Sequence, residues 1–274
     1  MEVCFLGTGT PAPDPRRCGS GTALVGDDGQ SWVLVDCGRG VTQRALQAGL
    51  DLSTLIAVML THHHSDHVSD LATLAITRFA GGATTRLRVL APLGPTSRFA
   101  ESCLYGYDDQ AFYSQRTAGV AERPAVIVEA FATSPEPVTV LNEGRWLIRS
   151  AAVDHHPMEA AVGYRIESGG STVAVSGDTI VCDGIKALAA DADILVHEAL
   201  RSDRVNAAAL AWNASARSVG ALARSARVRH LVLTHLLPPP ADEADERAFV
   251  DEARTGGYEG PILTASDLDR LGAD

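Results

Sequence analysis

Residues 60–67 read "LTHHHSDH", with four histidines and one aspartate in eight positions. In an extended segment alternate side chains share a face, so His62 and His64 are expected to point one way and His63 the other. Imidazole nitrogens are good ligands for zinc, iron and manganese. The alternation therefore predicts one pair of metal ligands and leaves His63 outside it.

Asp66 and His67 complete an H-x-H-x-D-H spacing. The residues that follow, "SDLATLAITRF", have a helical pattern, so Asp66 and His67 are expected near a helix start. From there both side chains reach a second position beside the first pair. The stretch therefore predicts two adjacent half-sites, each with its own ligands.

Several apolar, β-branched runs are typical of short buried strands: "SWVLVD", "LIAVML", "TVAVSGD", "DILVHE" and "HLVLTH". Each run ends at a polar residue of one chemical set, and these residues are Asp36, His62, Asp178, His197 and His235. One polar residue after a strand usually starts a loop. Five ends that are all His or Asp instead predict a ligand cluster along the edges of the sheets.

Helical patterns alternate with these runs, and one of them, "RGVTQRALQAG", ends at a capping glycine, Gly49. Two others are "ASARSVGALARSA" and "DEADERAFVDEAR". Residues 133–150 have the pattern of a β-meander. Strands that alternate with helices predict the α/β class, and we expect residues 1–274 to form a single domain.

The composition bears on partners and compartment. The net charge is -11, from 34 acidic and 23 basic residues, and the sequence contains one lysine. This balance disfavours a nucleic-acid partner, which usually requires a basic patch. The five cysteines form no CxxC pair, which is typical of free thiols in a reducing cytoplasm. No membrane segment or export signal is expected.

Several motifs, taken together, resemble one known family. They are "LGTGTPAPDPRR" (6–17), "VDCG" (35–38), "THHHSDH" (61–67), "VDHHPMEAAVGYR" (153–165), "SGDT" (176–179), "VHEA" (196–199) and "LTH" (233–235). Their order and spacing resemble the metallo-β-lactamase superfamily, in its ribonuclease Z and arylsulfatase-like branch. The resemblance implies a four-layer αβ/βα sandwich, in which helices flank two mixed β-sheets.

The resemblance also implies the ligands of two divalent metal ions, with zinc expected first and manganese or iron as alternatives. One ion would take His62, His64 and His155, the other would take Asp66, His67 and His235, and Asp178 would bridge them. His155 is preferred to His156 because its distance to Gly163 fits the arylsulfatase-like pattern better. Asp36 and Thr179 are expected beside the ligands, with Asp36 orienting a ligand histidine; the alternative for Asp36 is a plain turn residue.

Such a site implies hydrolysis by a hydroxide held between the two metals, with Asp66 holding its proton. His197 is expected to assist the leaving group, and Glu198 to orient His197. The alternative for His197 is a buried histidine at a strand end.

The sequence departs from ribonuclease Z at two places. Asn213, in "WNASAR", stands where a histidine is expected, and it would contact substrate without being able to transfer a proton. Only "IESGGSTVAV" separates Arg165 from Ser176, so we expect a hairpin there instead of the arm that grips tRNA. Residues 106–116, "GYDDQAFYSQR", are a candidate for lining a pocket or covering the site, although the stretch is acidic and short.

These observations lead to a main expectation and to alternatives. The main expectation is a hydrolase of a small anionic ester, a phosphodiester or an aryl sulfate. The alternative is a tRNA 3′-processing endoribonuclease, which the acidic balance and the missing arm disfavour. Hydrolysis of a β-lactam, lactone or thioester, and a non-catalytic binding protein, are less favoured. The resemblance leaves a homodimer open.

Overall fold

Two mixed β-sheets form the centre of the fold. The computed structural model describes residues 1–107, 126–206 and 208–273. Its strands, in chain order, are β1 (Glu2–Gly7), β2 (Gly21–Val25), β3 (Trp32–Val35), β4 (Leu55–Met59), β5 (Leu87–Pro92), β6 (Val126–Phe131), β7 (Val138–Glu143), β8 (Trp146–Ala152), β9 (Val162–Ser168), β10 (Ser171–Val175), β11 (Ile194–Leu200), β12 (His230–Leu237), β13 (Ile262–Thr264) and β14 (Arg270–Gly272).

The helices lie mostly between the parallel strands. In chain order they are α1 (Val41–Gln47), α2 (Ser65–Val68), α3 (Leu71–Ala80), α4 (Pro95–Ser102), α5 (Asp183–Ala189), α6 (Ala216–Ser225) and α7 (Glu243–Arg254). Short 3₁₀ turns occupy Leu52–Thr54 and Ala209–Ala211.

The two sheets have mirrored topologies. The first has the order β14-β1-β2-β3-β4-β5-β6, antiparallel from β14 to β3 and parallel from β3 to β6. The second has the order β13-β12-β11-β10-β9-β8-β7, parallel from β13 to β10 and antiparallel from β10 to β7. Parallel strands require crossover connections, and helices supply most of them. The predicted mixed sheets are therefore confirmed.

Strand alternation sends side chains to two different cores. Val35 and Val196 belong to the cluster between the sheets, where the hydroxyl of Tyr164 donates a 2.7 Å hydrogen bond to the carbonyl of Leu60. Because this bond joins β9 to the segment after β4, it fixes one sheet against the other. The buried tyrosine hydroxyl is thereby satisfied, as a polar group in an apolar core must be.

The opposite strand faces pack against the helices. Leu34 on β3 lies in a cluster with Leu71 and Leu74 of α3, and Leu195 on β11 lies in a cluster with Leu222 of α6. Burying each such side chain stabilises the fold by about 1.5–3 kcal/mol. Helices therefore cover the outer faces of both sheets, and the expected four-layer αβ/βα sandwich is confirmed.

Local predictions agree with the structure at most elements. α1 is followed by Gly49, which has a φ of 75° and closes the helix as expected. The side chain of Asp242 caps α7 by accepting hydrogen bonds from two backbone amides of its first turn. β9 and β10 form the predicted hairpin around Gly169 and Gly170. Of the predicted covering segment 106–116, residues 108–116 lie outside the described residues.

In the described part of the chain, no helix is long and apolar enough to cross a membrane.

Candidate metal centre

Seven buried or half-buried side chains form two adjacent groups at one edge of the two sheets. The first group is His62, His64, His155 and Asp178, and the second is Asp66, His67 and His235. Within each group, one ligating atom per residue lies within 4.8 Å of the others. The first sheet contributes the segment after β4, and the second contributes β12 and the loops after β8 and β10. The structure thus brings together all seven residues named as ligands.

The first group has the spacing of metal ligands. Nε2 of His62 lies 2.9 Å from Nδ1 of His64, and Nε2 of His155 lies 3.4 Å from the same nitrogen. Zinc–nitrogen bonds of about 2.0–2.1 Å place two tetrahedral ligands about 3.3 Å apart. His156 is exposed and lies outside the group. The donor set therefore fits a divalent ion, with His155 as its third histidine.

The second group has a similar spacing. Oδ2 of Asp66 lies 3.2 Å from Nε2 of His235 and 3.6 Å from Nε2 of His67. Nε2 of His67 is buried and has no hydrogen-bond partner among the described residues. An orphaned buried nitrogen is costly unless something binds it. A divalent ion at this point would satisfy it.

Asp178 lies between the two groups. Its Oδ1 is 3.4 Å from Nε2 of His67, and its Oδ2 is 3.5 Å from Nε2 of His235 and 3.9 Å from Nε2 of His155. One carboxylate therefore faces histidines of both groups, which is the position of a bridging ligand in a two-metal site.

A β-bulge directs His235 toward the site. In the pairing of β11 with β12, Glu198 lies opposite Thr234 and Ala199 lies opposite Leu236, so His235 is the extra residue. Its φ is 47°, a conformation that side chains other than glycine seldom adopt. A bulge re-aims a side chain without ending the strand. The strand therefore continues to Leu237, beyond the end that the sequence pattern predicts.

The buried carboxylate of Asp36 orients histidines of both groups. Its Oδ2 accepts a 2.7 Å hydrogen bond from Nδ1 of His67. Both of its oxygens lie within 3.0 Å of the Thr61 hydroxyl, whose oxygen is also 3.0 Å from Nδ1 of His62. His62 can donate to Thr61 while Thr61 donates to Asp36. This arrangement leaves Nε2 of His62 and of His67 available to a metal.

The electrostatics of the two groups differ. Burial lowers the pKa of His62 well below its usual value, so this imidazole is neutral. For His67 burial acts in the same direction, but the carboxylates of Asp178 and Asp36 outweigh it and raise the pKa well above its usual value. Burial raises the pKa of Asp178, but the nearby His235 and His67 outweigh it and hold that pKa well below its usual value. Asp178 is therefore ionised at neutral pH.

Glu198 lies beside the ligands and is held by two neutral donors. The Thr179 amide donates to its Oε1 at 2.6 Å, and Nδ2 of Asn213 donates to its Oε2 at 2.7 Å. Burial and the negative charge of Asp178 raise the pKa of Glu198 well above its usual value. Glu198 also lines a small cavity together with Asp178 and His235. Thr179 and Asn213 are therefore connected to the ligand groups by their hydrogen bonds to Glu198.

His197 lies on the other face of β11. Its neighbours in alternation, Leu195 and Ala199, pack under the helices, whereas Glu198 faces the ligand groups. Nδ1 of His197 donates to the carbonyl of Glu198 at 2.8 Å, and burial lowers the pKa of His197 to about 4. The pleat of β11 therefore turns the His197 ring toward the helical layer, on the opposite side of the strand from Glu198 and the ligand groups, and a role for His197 at the leaving group stays a prediction.

Comparison with known proteins places these features in a family. The model of the β-lactamase superfamily domain matches residues 31–236. The chain belongs to the metallo-β-lactamase superfamily. A protein named ribonuclease Z from Mycobacterium bovis (strain BCG / Pasteur 1173P2) is 35% identical to it over 99% of this chain and 98% of the relative. Another, from Mycobacterium sp. (strain KMS), is 39% identical over 90% of this chain and 89% of the relative.

Solved structures share the metallo-β-lactamase fold. The metallo-β-lactamase fold protein YhfI from Bacillus subtilis covers 98% of both chains with a TM-score of 0.76 at 23% identity. The short form of human tRNase Z covers 100% of both chains with a TM-score of 0.74 at 18% identity. At this level of identity the likeness supports the fold alone.

The two faces of the His62–His64 segment can be separated by mutation. His64→Ala removes a side chain from the first group, so we expect bound zinc to fall from about two ions per chain to about one. His63→Ala is the matched control, because His63 belongs to neither group. Elemental analysis of the dialysed proteins measures both. Equal metal loss in the two variants would contradict the assignment of faces.

The role of Thr61 is tested by Thr61→Val, which removes the hydroxyl at nearly constant volume. His62 then loses its partner at Nδ1, and we expect zinc affinity to fall about 10–100-fold. Thr61→Ser keeps the hydroxyl and should keep most of the affinity. Competition with a chromophoric chelator measures both values. Wild-type affinity in Thr61→Val would show that the hydroxyl does not orient the ring.

Proposed function

We propose that this protein is a hydrolase of the ribonuclease Z type, which uses two divalent ions, zinc foremost, to cleave an RNA phosphodiester bond. The observation that carries the proposal is the position of the Asp178 carboxylate, which faces His67 and His235 of the second ligand group and His155 of the first. Relatives named ribonuclease Z, which match the chain nearly end to end, support the substrate class. Two bound ions would lower the pKa of a shared water and stabilise charge on a phosphoryl oxygen.

In this proposal the side chains of the second group manage a proton. Burial raises the pKa of Asp66, but the hydrogen bond from His235 and the charge of His67 outweigh it and lower that pKa. Asp66 is therefore ionised at neutral pH. Nε2 of His235 contacts its Oδ2, which leaves Oδ1 to accept a proton from the attacking water.

The first group and Glu198 define the walls of the site. His64 is half-buried, so the first group is open to solvent on the side of His64. Glu198 is fully buried behind Asp178 and holds Asn213 in place. A substrate phosphate would enter from the side of His64 and contact the side of the site formed by Glu198 and Asn213.

A second candidate is the hydrolysis of a small phosphodiester or aryl sulfate. Asn213 favours it, because an amide hydrogen-bonded to Glu198 can donate a hydrogen bond but cannot protonate a leaving group. The tight β9–β10 hairpin also favours it, since Ser168 pairs directly with Ser171 and no arm extends there to hold an RNA body.

A side-by-side assay separates the two candidates. The substrates are a precursor tRNA, an aryl phosphodiester, an aryl sulfate and a lactone, each with zinc and with manganese. We expect cleavage of the precursor tRNA with a kcat/KM at least about tenfold above that of the aryl phosphodiester, and loss of both activities after chelation. The reverse order would establish the second candidate. A folded protein that binds no divalent metal would contradict both.

Asn213→His tests whether the side chain at position 213, beside Glu198, faces the reacting phosphate. The imidazole would lie against a buried carboxyl group and could carry a proton to the leaving oxygen, an effect that typically reaches 10²–10⁴-fold. We expect the rate of precursor tRNA cleavage to rise at least about tenfold. Asn213→Gln, which cannot transfer a proton, is the control. Equal rates in the two variants would show that position 213 does not face the reacting phosphate.

A further inference from the structure

A short turn beside the metal centre has a polar inner side and an apolar outer side. The 3₁₀ turn Ala209–Ala211 is followed by Trp212 and Asn213, whose backbone amides both donate to the carbonyl of Ala209 at 3.1 Å. The carbonyl of Trp212 accepts a 3.0 Å hydrogen bond from Nδ1 of His155. The side chain of Asn213 reaches Glu198. The backbone at residues 212 and 213 is therefore fixed directly against the site.

The side chain of Trp212 is exposed at this position. Its relative exposure is 44%, whereas the other two tryptophans, Trp32 and Trp146, are 0% and 3% exposed. Leu210, in the same turn, is 39% exposed. No described ring stacks on the indole, and no described residue accepts a hydrogen bond from its nitrogen. A large aromatic surface is thus exposed on a turn that is hydrogen-bonded to His155 and Glu198.

We infer that Trp212 is a stacking subsite for a nucleobase next to the scissile phosphodiester. The inference rests on the proposed function, since that function places a phosphate at the ligand groups. His155 links the two positions, because its Nδ1 contacts the Trp212 carbonyl while its Nε2 faces His64. The backbone of Trp212 therefore lies one imidazole ring away from the atoms that would hold a metal, and the exposed indole extends from that backbone.

The charge of the protein gives a reason for such a subsite. Proteins that bind nucleic acids usually gain affinity from many lysine and arginine contacts to phosphates. This chain has a net charge of -11, which disfavours a large contribution of that kind. Stacking of a base on an aromatic ring depends little on net charge and accepts any base. The Trp212 carbonyl is bonded to His155 and the Asn213 side chain to Glu198, so the turn is already held in place and little conformational entropy is lost when a base binds.

Binding is tested by tryptophan fluorescence of the zinc-loaded full-length protein. Uridine 5′-monophosphate should quench the emission saturably, because Trp212 is the exposed tryptophan. Ribose 5-phosphate, which has the phosphate but no base, should quench it little. The quenching should disappear in Trp212→Phe, which shows that the signal comes from position 212. Equal quenching by the two ligands, or none by either, would overturn the inference.

Kinetics test the link to the reaction. The p-nitrophenyl esters of thymidine 5′-phosphate and of methyl phosphate share a leaving group and differ by the nucleoside. For Trp212→Ala we expect KM to rise about tenfold more for the nucleoside ester than for the methyl ester. Trp212→Phe should retain most of the difference between the esters. Leu263→Ala, a substitution of an equally exposed residue on β13, should change neither KM.

The outcomes distinguish this inference from the proposed function. A fall in kcat that is equal for both esters would mean that Trp212 acts only by positioning His155, and it would overturn the subsite. Hydrolysis of both esters with no selective change in KM would also overturn the subsite, and the proposed function would stand. Base-dependent quenching without hydrolysis of either ester or of RNA would support the subsite and count against the proposed function.

Discussion

The buried carboxylate of Asp36 is the constraint on which the rest of the site depends. It lies at the end of β3, is 1% exposed, and accepts hydrogen bonds from the amide and hydroxyl of Thr61 and from Nδ1 of His67. A charge buried this deeply is costly unless several donors satisfy it. The closer donors are Thr61 and His67, at the two ends of the stretch 61–67, and the Ser20 hydroxyl adds a contact at 3.4 Å. Satisfying one carboxylate therefore holds both ends of that stretch in place. One histidine of each ligand group takes its orientation from these contacts, His67 directly from Asp36 and His62 through the Thr61 hydroxyl.

Much of this site could be predicted from the sequence because its information is local. The alternation of His62, His63 and His64 depends only on the extended backbone, and the α/β class depends only on the periodicity of the runs. The bulge at His235 could not be predicted, because it arises from the pairing of β12 with β11. Strand alternation also explains why the sequence cannot separate His197 from Glu198. Adjacent residues of one strand face opposite layers, and the sequence does not show which layer holds the metal ligands.

Thr61 and Trp212 were missed for a different reason. Each acts through a contact that only the folded chain reveals. The Thr61 hydroxyl contacts Asp36, and the Trp212 carbonyl contacts His155. A signal for Thr61 was present, since a hydroxyl directly before a ligand histidine is well placed to reach a neighbouring carboxylate. For Trp212 the sequence contained no comparable signal, because a tryptophan beside an alanine-rich segment more often indicates core packing than an exposed surface.

The class of substrate that this site can cleave depends on whether the leaving oxygen needs a proton. A phenolate departs without a proton, whereas an alkoxide from a ribose needs one or needs its charge stabilised. The Thr179 amide and the Asn213 side chain donate to the two oxygens of Glu198, and position 213 itself offers a hydrogen-bond donor but no acid. The His197 ring faces the helical layer, and burial holds its pKa at about 4. The similarity to proteins named ribonuclease Z therefore favours an RNA substrate, whereas the Asn213 side chain favours a small phosphodiester or aryl sulfate. They are compatible if the two ions together stabilise the departing alkoxide.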